Sequence, residues 1–251
     1  MKIEAILSPA ELPALAKRDL RNTICVVFDV LRATSTFVTA LHHGARAIIP
    51  VSEISEAVAI HKRQPDVLLG GERNGIKICA GQTGGIDFDF GNSPREYTPD
   101  KVRDKTIVST TTNGTRALRA GVGARTVLAA SFLNLTATAK FLRRLQPAQI
   151  LLVCAGTREN TSLEDVLAAG ALAELLLVDA GGKADSDSTG IAVGINRAAK
   201  SNLTEAVCRS ENARRLLAIP ELRDDVAFCL RQDAFNLVAV LGSDGAVRVS
   251  I

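Results

Sequence analysis

An aspartate that ends a buried apolar strand is poorly solvated unless a cation or several donors meet it. Asp29 stands in that position, directly after Ile24–Phe28, and opens the run Asp29-Val30-Leu31-Arg32-Ala33-Thr34-Ser35-Thr36. It reads as a metal ligand, a nucleophile or a helix cap. Arg32 adds a planar fork suited to an oxyanion, and Thr34 and Ser35 add hydroxyls and amides at the start of a helix. Taken alone, the same residues also fit a turn-forming aspartate beside a surface arginine.

A second junction of the same kind is Thr110-Thr111-Thr112-Asn113-Gly114-Thr115-Arg116. Its amides and hydroxyls can face an anion, Gly114 permits close approach, and Arg116 follows one turn later. A phosphate, carboxylate or sulfonate cradle fits, and so does a threonine-rich helix cap. No Gly-Lys-Ser/Thr is present, so a nucleotide has no specific support. The third junction is Cys154-Ala155-Gly156-Thr157, followed by Ser162-Leu163-Glu164-Asp165. Glu164 and Asp165 are either first-turn acids favoured by the helix dipole or oxygen ligands of Mg²⁺ shared with Asp29. Cys154 lacks the C-x₅-R loop of a cysteine phosphatase, because Asn160 stands where the arginine belongs, so it is set aside. His42, His43 and His61 fall in predicted helices away from these loops, which argues against zinc or phosphohistidine chemistry.

Alternating elements must carry these loops. Short β-branched runs near Ile3–Leu7, Ile24–Phe28, Ala47–Pro50, Val67–Leu69, Thr106–Ser109, Thr126–Ala129 and Ile150–Val153 alternate with stretches of helical length. That is the pattern of βα units in a three-layer α/β/α fold with a largely parallel sheet. Ser8-Pro9-Ala10-Glu11 is a capping box with proline at the first helical position. Asp179–Gly190 reads as an exposed loop before a helical tail. Gly70–Lys105 shows little periodicity, and its Glu72-Arg73-Asn74 between glycines looks like a ligand loop. Gly44-Ala45-Arg46 recurs as Gly123-Ala124-Arg125, 79 residues on, so Val27–Ala59 laid on Thr106–Thr138 reads either as a weak internal βαβ repeat or as two unrelated βαβ units sharing a common pattern. We therefore expect one domain over 1–251, with a division into subdomains near residue 105 as the alternative.

Composition excludes several classes. The 251 residues carry 30 basic and 27 acidic side chains, a net charge of +3 spread along the chain, with one Tyr and no Trp to stack on bases. Nucleic-acid binding is not indicated. No apolar run reaches the ~20 residues a membrane span requires. The first residues meet Ser8-Pro9 too soon for a signal peptide, and five scattered cysteines fit a reducing compartment. A cytoplasmic location is expected.

The segments named so far, together with Gly91-Asn92-Ser93-Pro94, Ser131-Phe132-Leu133-Asn134, Asp224–Cys229 and Asp233-Ala234-Phe235, resemble the 2-phosphosulfolactate phosphatases in order and spacing. The resemblance spans roughly residues 1–250. It implies an α/β enzyme that uses Mg²⁺ to hydrolyse 2-phospho-3-sulfolactate to 3-sulfolactate and phosphate, in some organisms for coenzyme M synthesis. On it, Asp29 is the nucleophile or principal metal ligand, Glu164 and Asp165 complete the metal site, and Arg32, Arg73 and Arg116 supply positive charge. Thr34, Ser35, Asn74, Asn92, Ser93, Thr110, Thr111, Thr112, Asn113, Gly114, Ser131 and Asn134 are then the expected substrate contacts. The partner is a small acidic phosphate ester, and a homo-oligomer is compatible with the sequence. Cys79–Gly85 looks like extra length, and Arg158-Glu159-Asn160 replaces an expected glycine-containing turn; both bear on specificity. A haloacid-dehalogenase phosphatase would need an aspartate where Leu31 stands. A phosphatase of another phosphorylated hydroxy acid and a non-catalytic anion-binding protein are the remaining alternatives.

Overall fold

The computed structural model of the chain describes residues 1–179 and 183–250. All seven expected strands are present: β1 (Lys2–Ile6), β2 (Thr23–Phe28), β3 (Ala47–Pro50), β4 (Leu68–Arg73), β6 (Thr106–Thr110), β7 (Thr126–Ala130) and β8 (Gln149–Cys154). Four more join them: β5 (Ile76–Lys77), β9 (Lys183–Ala184), β10 (Val238–Leu241) and β11 (Val247–Ser250). Together the described strands form one mixed sheet in the order β5-β4-β6-β3-β11-β10-β7-β2-β8-β1-β9.

The order is palindromic under the sequence repeat. Exchanging β2 with β6, β3 with β7, β4 with β8 and β10 with β11 maps the run β4 to β8 onto itself. Neighbours within each half pair in parallel, β4–β6–β3 on one side and β7–β2–β8–β1 on the other. At the centre, β10 is antiparallel to β7 and to β11, and β11 is antiparallel to β3. The two halves therefore run in opposite directions. A twist of about 20–25° per strand accumulates over the five steps from β2 to β6, and that rotation lets the loops leaving both strands converge. The repeat units interleave, because β2 and β3 lie in different halves and the helix Ala33–His42 crosses between them.

Apolar clusters cover both faces of the sheet. One gathers Ile24, Val26, Phe28, Leu152, Leu167 and Leu172; the other gathers Cys25, Val27, Phe37, Leu41, Leu151 and Val153. Alternate residues of β2 and β8 fall in opposite clusters, as the pleat requires.

Two expectations need correction. The helical tail exists as Asp187–Ala199, Leu203–Cys208, Glu211–Leu217 and Arg223–Cys229, but the chain then returns as the β10–β11 hairpin to fill the centre of the sheet. Its Ser243-Asp244-Gly245 turn, with Gly245 at φ +79°, is the usual signal for such a hairpin. Of the expected Asp179–Gly190 loop, 180–182 lie outside the described residues, and the helix starts inside it, with Ser186 Oγ accepting from Thr189 N–H. Gly70–Lys105 is packed despite its aperiodic sequence. Ile78, Phe88 and Tyr97 are fully buried, and the Tyr97 hydroxyl donates to the Gly91 carbonyl at 2.8 Å. Anchors at irregular spacing order such a segment without a helical or strand period.

Candidate functional site

The loops after β2, β4, β6 and β8 meet at one small cavity that opens to solvent. Asp29, Arg32, Glu72 and Asn92 form its buried floor. Asn74, Thr112, Arg158 and Arg215 form its exposed rim. The four loops are two pairs related by the palindrome.

Asp29 is held by its own loop. Its Oδ1 accepts from Ala33 N–H at 3.1 Å, its amide donates to Thr34 Oγ1, and Thr34 Oγ1 donates back to the Asp29 carbonyl at 2.9 Å. Oδ2 faces Gly114, where an added Cβ would stand 2.7 Å from that oxygen and 2.6 Å from Ala33 Cβ. Glycine is thus required at 114 by close approach of the two loops, and not by its φ.

Beside Asp29 are three further buried acids. Glu72 is saturated: Oε1 accepts from the Thr112 amide and hydroxyl, and Oε2 from Gly75 N–H at 2.6 Å. Asp165 receives Val30 N–H on Oδ1 and Gly156 N–H on Oδ2, which ties the ends of β2 and β8 together. Glu164 is fully buried; Oε1 accepts from Asn212 Nδ2 at 3.0 Å, while Oε2 has no hydrogen-bond partner. Burial, reinforced by the Glu72 and Glu164 charges, pushes Asp29 up to about 7 against the opposing Ala33 amide. Burial and the charges of Asp29 and Glu164 hold Asp165 well above the usual carboxylate range. Buried negative charge of this density calls for a cation.

Arg32 sits on the floor through a cis Leu31–Arg32 peptide, its guanidinium spent on structure. Nη1 donates to Asp225 Oδ2 at 2.7 Å and Nη2 to the Gly75 carbonyl at 2.8 Å, with the two side chains 3% and 0% exposed. Ser93 Oγ donates to the other oxygen of Asp225 at 2.6 Å. Ser35 donates to the Val30 carbonyl; Thr110 donates to the Ser52 carbonyl; Thr111 Oγ1 receives the Thr115 amide. These hydroxyls build the loops, whereas Asn74, Asn92, Thr112 and Asn113 line the cavity.

Of the expected residues, Thr34, Ser35, Ser93, Thr110, Thr111, Gly114, Glu164 and Asp165 are buried and outside the lining, and Arg73, Arg116, Ser131 and Asn134 point elsewhere. Arg73 turns to the opposite side of β4, donating to Ser52 and Thr110. Arg116 is exposed and pairs with Glu159 at 2.6 Å. Ser131 and Asn134 form a buried capping box at the end of β7, with Asn134 Nδ2 donating to the Leu237 carbonyl. We expect Arg116→Ala to leave kcat/KM and the thermal midpoint near wild type, because a solvated pair contributes little; a loss of turnover beyond tenfold would put Arg116 in the site. Cys154 is fully buried and its thiol is driven well above its ordinary value by that burial, so it stays protonated and unreactive.

Sequence reasoning missed Asn212 and Arg215, and quoted the segments of Arg158 and Asp225 without giving either residue a place in the site. Arg158 holds φ +57° beside its expected loop, and its amide donates to Asn113 Oδ1. Asn212 and Arg215 belong to Glu211–Leu217, where a polar helix face reads as solvated surface, and nothing in the local sequence marks them.

Comparison with known proteins agrees with this picture. The family described as 2-phosphosulpholactate phosphatase matches residues 10–244. A protein of Caldanaerobacter subterraneus subsp. tengcongensis is 39% identical over 235 residues, covering 93% of both chains. One from Thermotoga maritima is 41% identical over 216 residues, covering 86% of this chain and 88% of its own. One from Clostridium novyi is 33% identical over 240 residues, covering 95% and 96%. All three are named probable 2-phosphosulfolactate phosphatase. With the family match running from residue 10 to residue 244, the chain belongs to the 2-phosphosulpholactate phosphatase family.

Proposed function

We propose that the cavity at Asp29 hydrolyses 2-phospho-3-sulfolactate, releasing 3-sulfolactate and phosphate, with Mg²⁺ as cofactor. The observation that carries the metal reading is the Glu164 carboxylate, fully buried, with one oxygen unpartnered and three other buried acids nearby. Asp29 and Glu164 are the groups that would hold the ion. Asp165 and Glu72 spend their oxygens on backbone and threonine donors and so set the loops. Among the described residues, no group of three or more His, Cys, Asp or Glu side chains is arranged to hold a metal ion, so the protein would supply two carboxylates. Two carboxylates suit Mg²⁺, which ordinarily keeps waters and takes substrate phosphate oxygens as its remaining ligands. When bound, such an ion neutralises phosphoryl charge and lowers the pKa of a water.

The chain's own residues do the rest. Thr112 and Asn113 line the cavity together with Asp29 and would flank a phosphoryl group held there. Arg32, anchored by Asp225, holds the floor rigid and offsets part of the acidic charge. Among the described residues no helix is long and apolar enough to cross a membrane.

Phosphate release from racemic 2-phospho-3-sulfolactate, with Mg²⁺ or with EDTA, tests the reading beside 2-phospholactate and 2-phosphoglycolate. Metal-dependent release favouring the sulfonated ester is expected. Preference for another ester would shift the substrate within the class. Absence of release from all three would leave an anion-binding protein. Calorimetric titration of Mg²⁺ into the protein checks the ion site independently, with binding expected for wild type and lost in Glu164→Gln.

A further inference from the structure

The proposed substrate carries three acids, and only one of them reacts. Its phosphoryl group must reach Asp29 on the floor, so the carboxylate and sulfonate extend toward the rim. Three arginines line the cavity: Arg32, Arg158 and Arg215. Arg32 is paired with Asp225 and donates from its other terminal nitrogen to the Gly75 carbonyl, so its charge is already matched. Among the described residues neither Arg158 nor Arg215 is paired with a carboxylate, and both stand on the exposed rim, where the non-reacting end of the ester would lie. Two unneutralised guanidinium groups in one mouth repel each other and are well placed only for an anion between them.

Their placement is built. Arg215 Nη2 donates to Asn212 Oδ1 at 2.8 Å. The other end of that buried amide donates to Thr157 Oγ1 and to Glu164 Oε1. One side chain thus spans from the carboxylate assigned to the ion to the rim arginine. Arg158 has its backbone fixed beside the cavity, in a left-handed conformation with its amide donating to Asn113 Oδ1.

We propose that Arg158 and Arg215 form the subsite that reads the sulfonate of the ester, and that Asn212 is the positioning residue that fixes Arg215 relative to Glu164. The proposal rests on the phosphatase reading for its substrate, but not for its test. The two arginines set specificity, and the acids beneath them set turnover.

Steady-state kinetics of the full chain with 2-phospho-3-sulfolactate and 2-phospholactate, which differ only in the sulfonate, separate these roles. Each arginine bound to the sulfonate contributes a charge-assisted hydrogen bond. Arg215→Ala or Arg158→Ala should therefore lower the ratio of the two kcat/KM values about 10- to 100-fold, chiefly through KM. Arg215→Lys should restore only part of it, because lysine lacks the fork. Equal losses on both esters, or no loss on either, would overturn the proposal. Should wild type hydrolyse neither ester, the phosphatase reading fails, and calorimetric binding of 3-sulfolactate against inorganic phosphate still decides the subsite. Loss of sulfolactate affinity alone in the arginine variants supports it, and unchanged affinity for both anions overturns it.

Discussion

Asp29→Asn should abolish turnover while making the metal-free protein more stable at alkaline pH. The two effects have one origin. Asp29 is pushed from 3.8 up to about 7 by burial and by neighbouring acids, so its ionised form is unfavourable in the folded state. A carboxyl raised in this way costs nothing below its unfolded pKa, where both states are protonated. The penalty grows as pH rises from about 4 to about 7 and is complete above that. Without divalent ion, wild type should therefore lose stability across that window, by up to about 4 kcal/mol for a three-unit shift, less whatever is shared with the surrounding acids. Asparagine keeps an oxygen for the Ala33 amide and carries no charge, so the variant should lose less stability there, with the remaining slope left to Asp165. Urea titrations in EDTA at pH 4 and pH 8 read this directly: equal stability at pH 4, a more stable variant at pH 8. Mg²⁺ should close the gap by stabilising wild type only. Phosphate release should fall by about 10³-fold or more, since an electrostatic or nucleophilic centre is lost. Normal turnover, or a wild type with no loss between pH 4 and pH 8, would remove Asp29 from the role assigned to it.

The second large effect falls on stability. Arg32→Ala leaves Asp225 as a buried, fully enclosed carboxylate with Ser93 and the more distant Arg95 for company. Breaking a buried pair from one side typically costs about 3–5 kcal/mol, a large share of an ordinary domain's stability. The same change frees the Gly75 carbonyl and so unties the β4–β5 turn from the loop after β2. We expect a urea midpoint far below wild type. The double variant Arg32→Ala with Asp225→Ala should recover part of the loss, because it no longer buries an unpaired charge. A single variant within about 1 kcal/mol of wild type would show that the pair carries no structural weight.

Much of this architecture was legible in one dimension. Apolar runs such as Ile24–Phe28 and Ile150–Val153 are buried on both faces, and such strands are visible as continuous β-branched stretches. The junctions after them read as site loops because Asp29, the threonines 110–112 and Gly114 are costly to place at a strand end without a purpose. The 79-residue repeat placed the loops Asp29–Thr36 and Thr110–Thr115 at equivalent strand ends, but gave neither the palindromic order of the sheet nor the interleaving of its units.

What the sequence determined by itself is the chemistry of the loops and the strands that carry them, since both depend on neighbours a few residues apart. Which side chains face the cavity was decided only by the tertiary structure. Glu72 and Arg73 are adjacent in sequence, yet the pleat of β4 sends the acid into the site and the arginine out of it. Arg32 reads as an anion fork until Asp225, 193 residues away, claims it. Asn212, 55 residues beyond Thr157, and Arg215 enter from a helix whose local pattern is that of solvated surface. A residue's partners across the fold are set by sheet twist and helix packing, which act over the whole chain and leave no mark at the position itself.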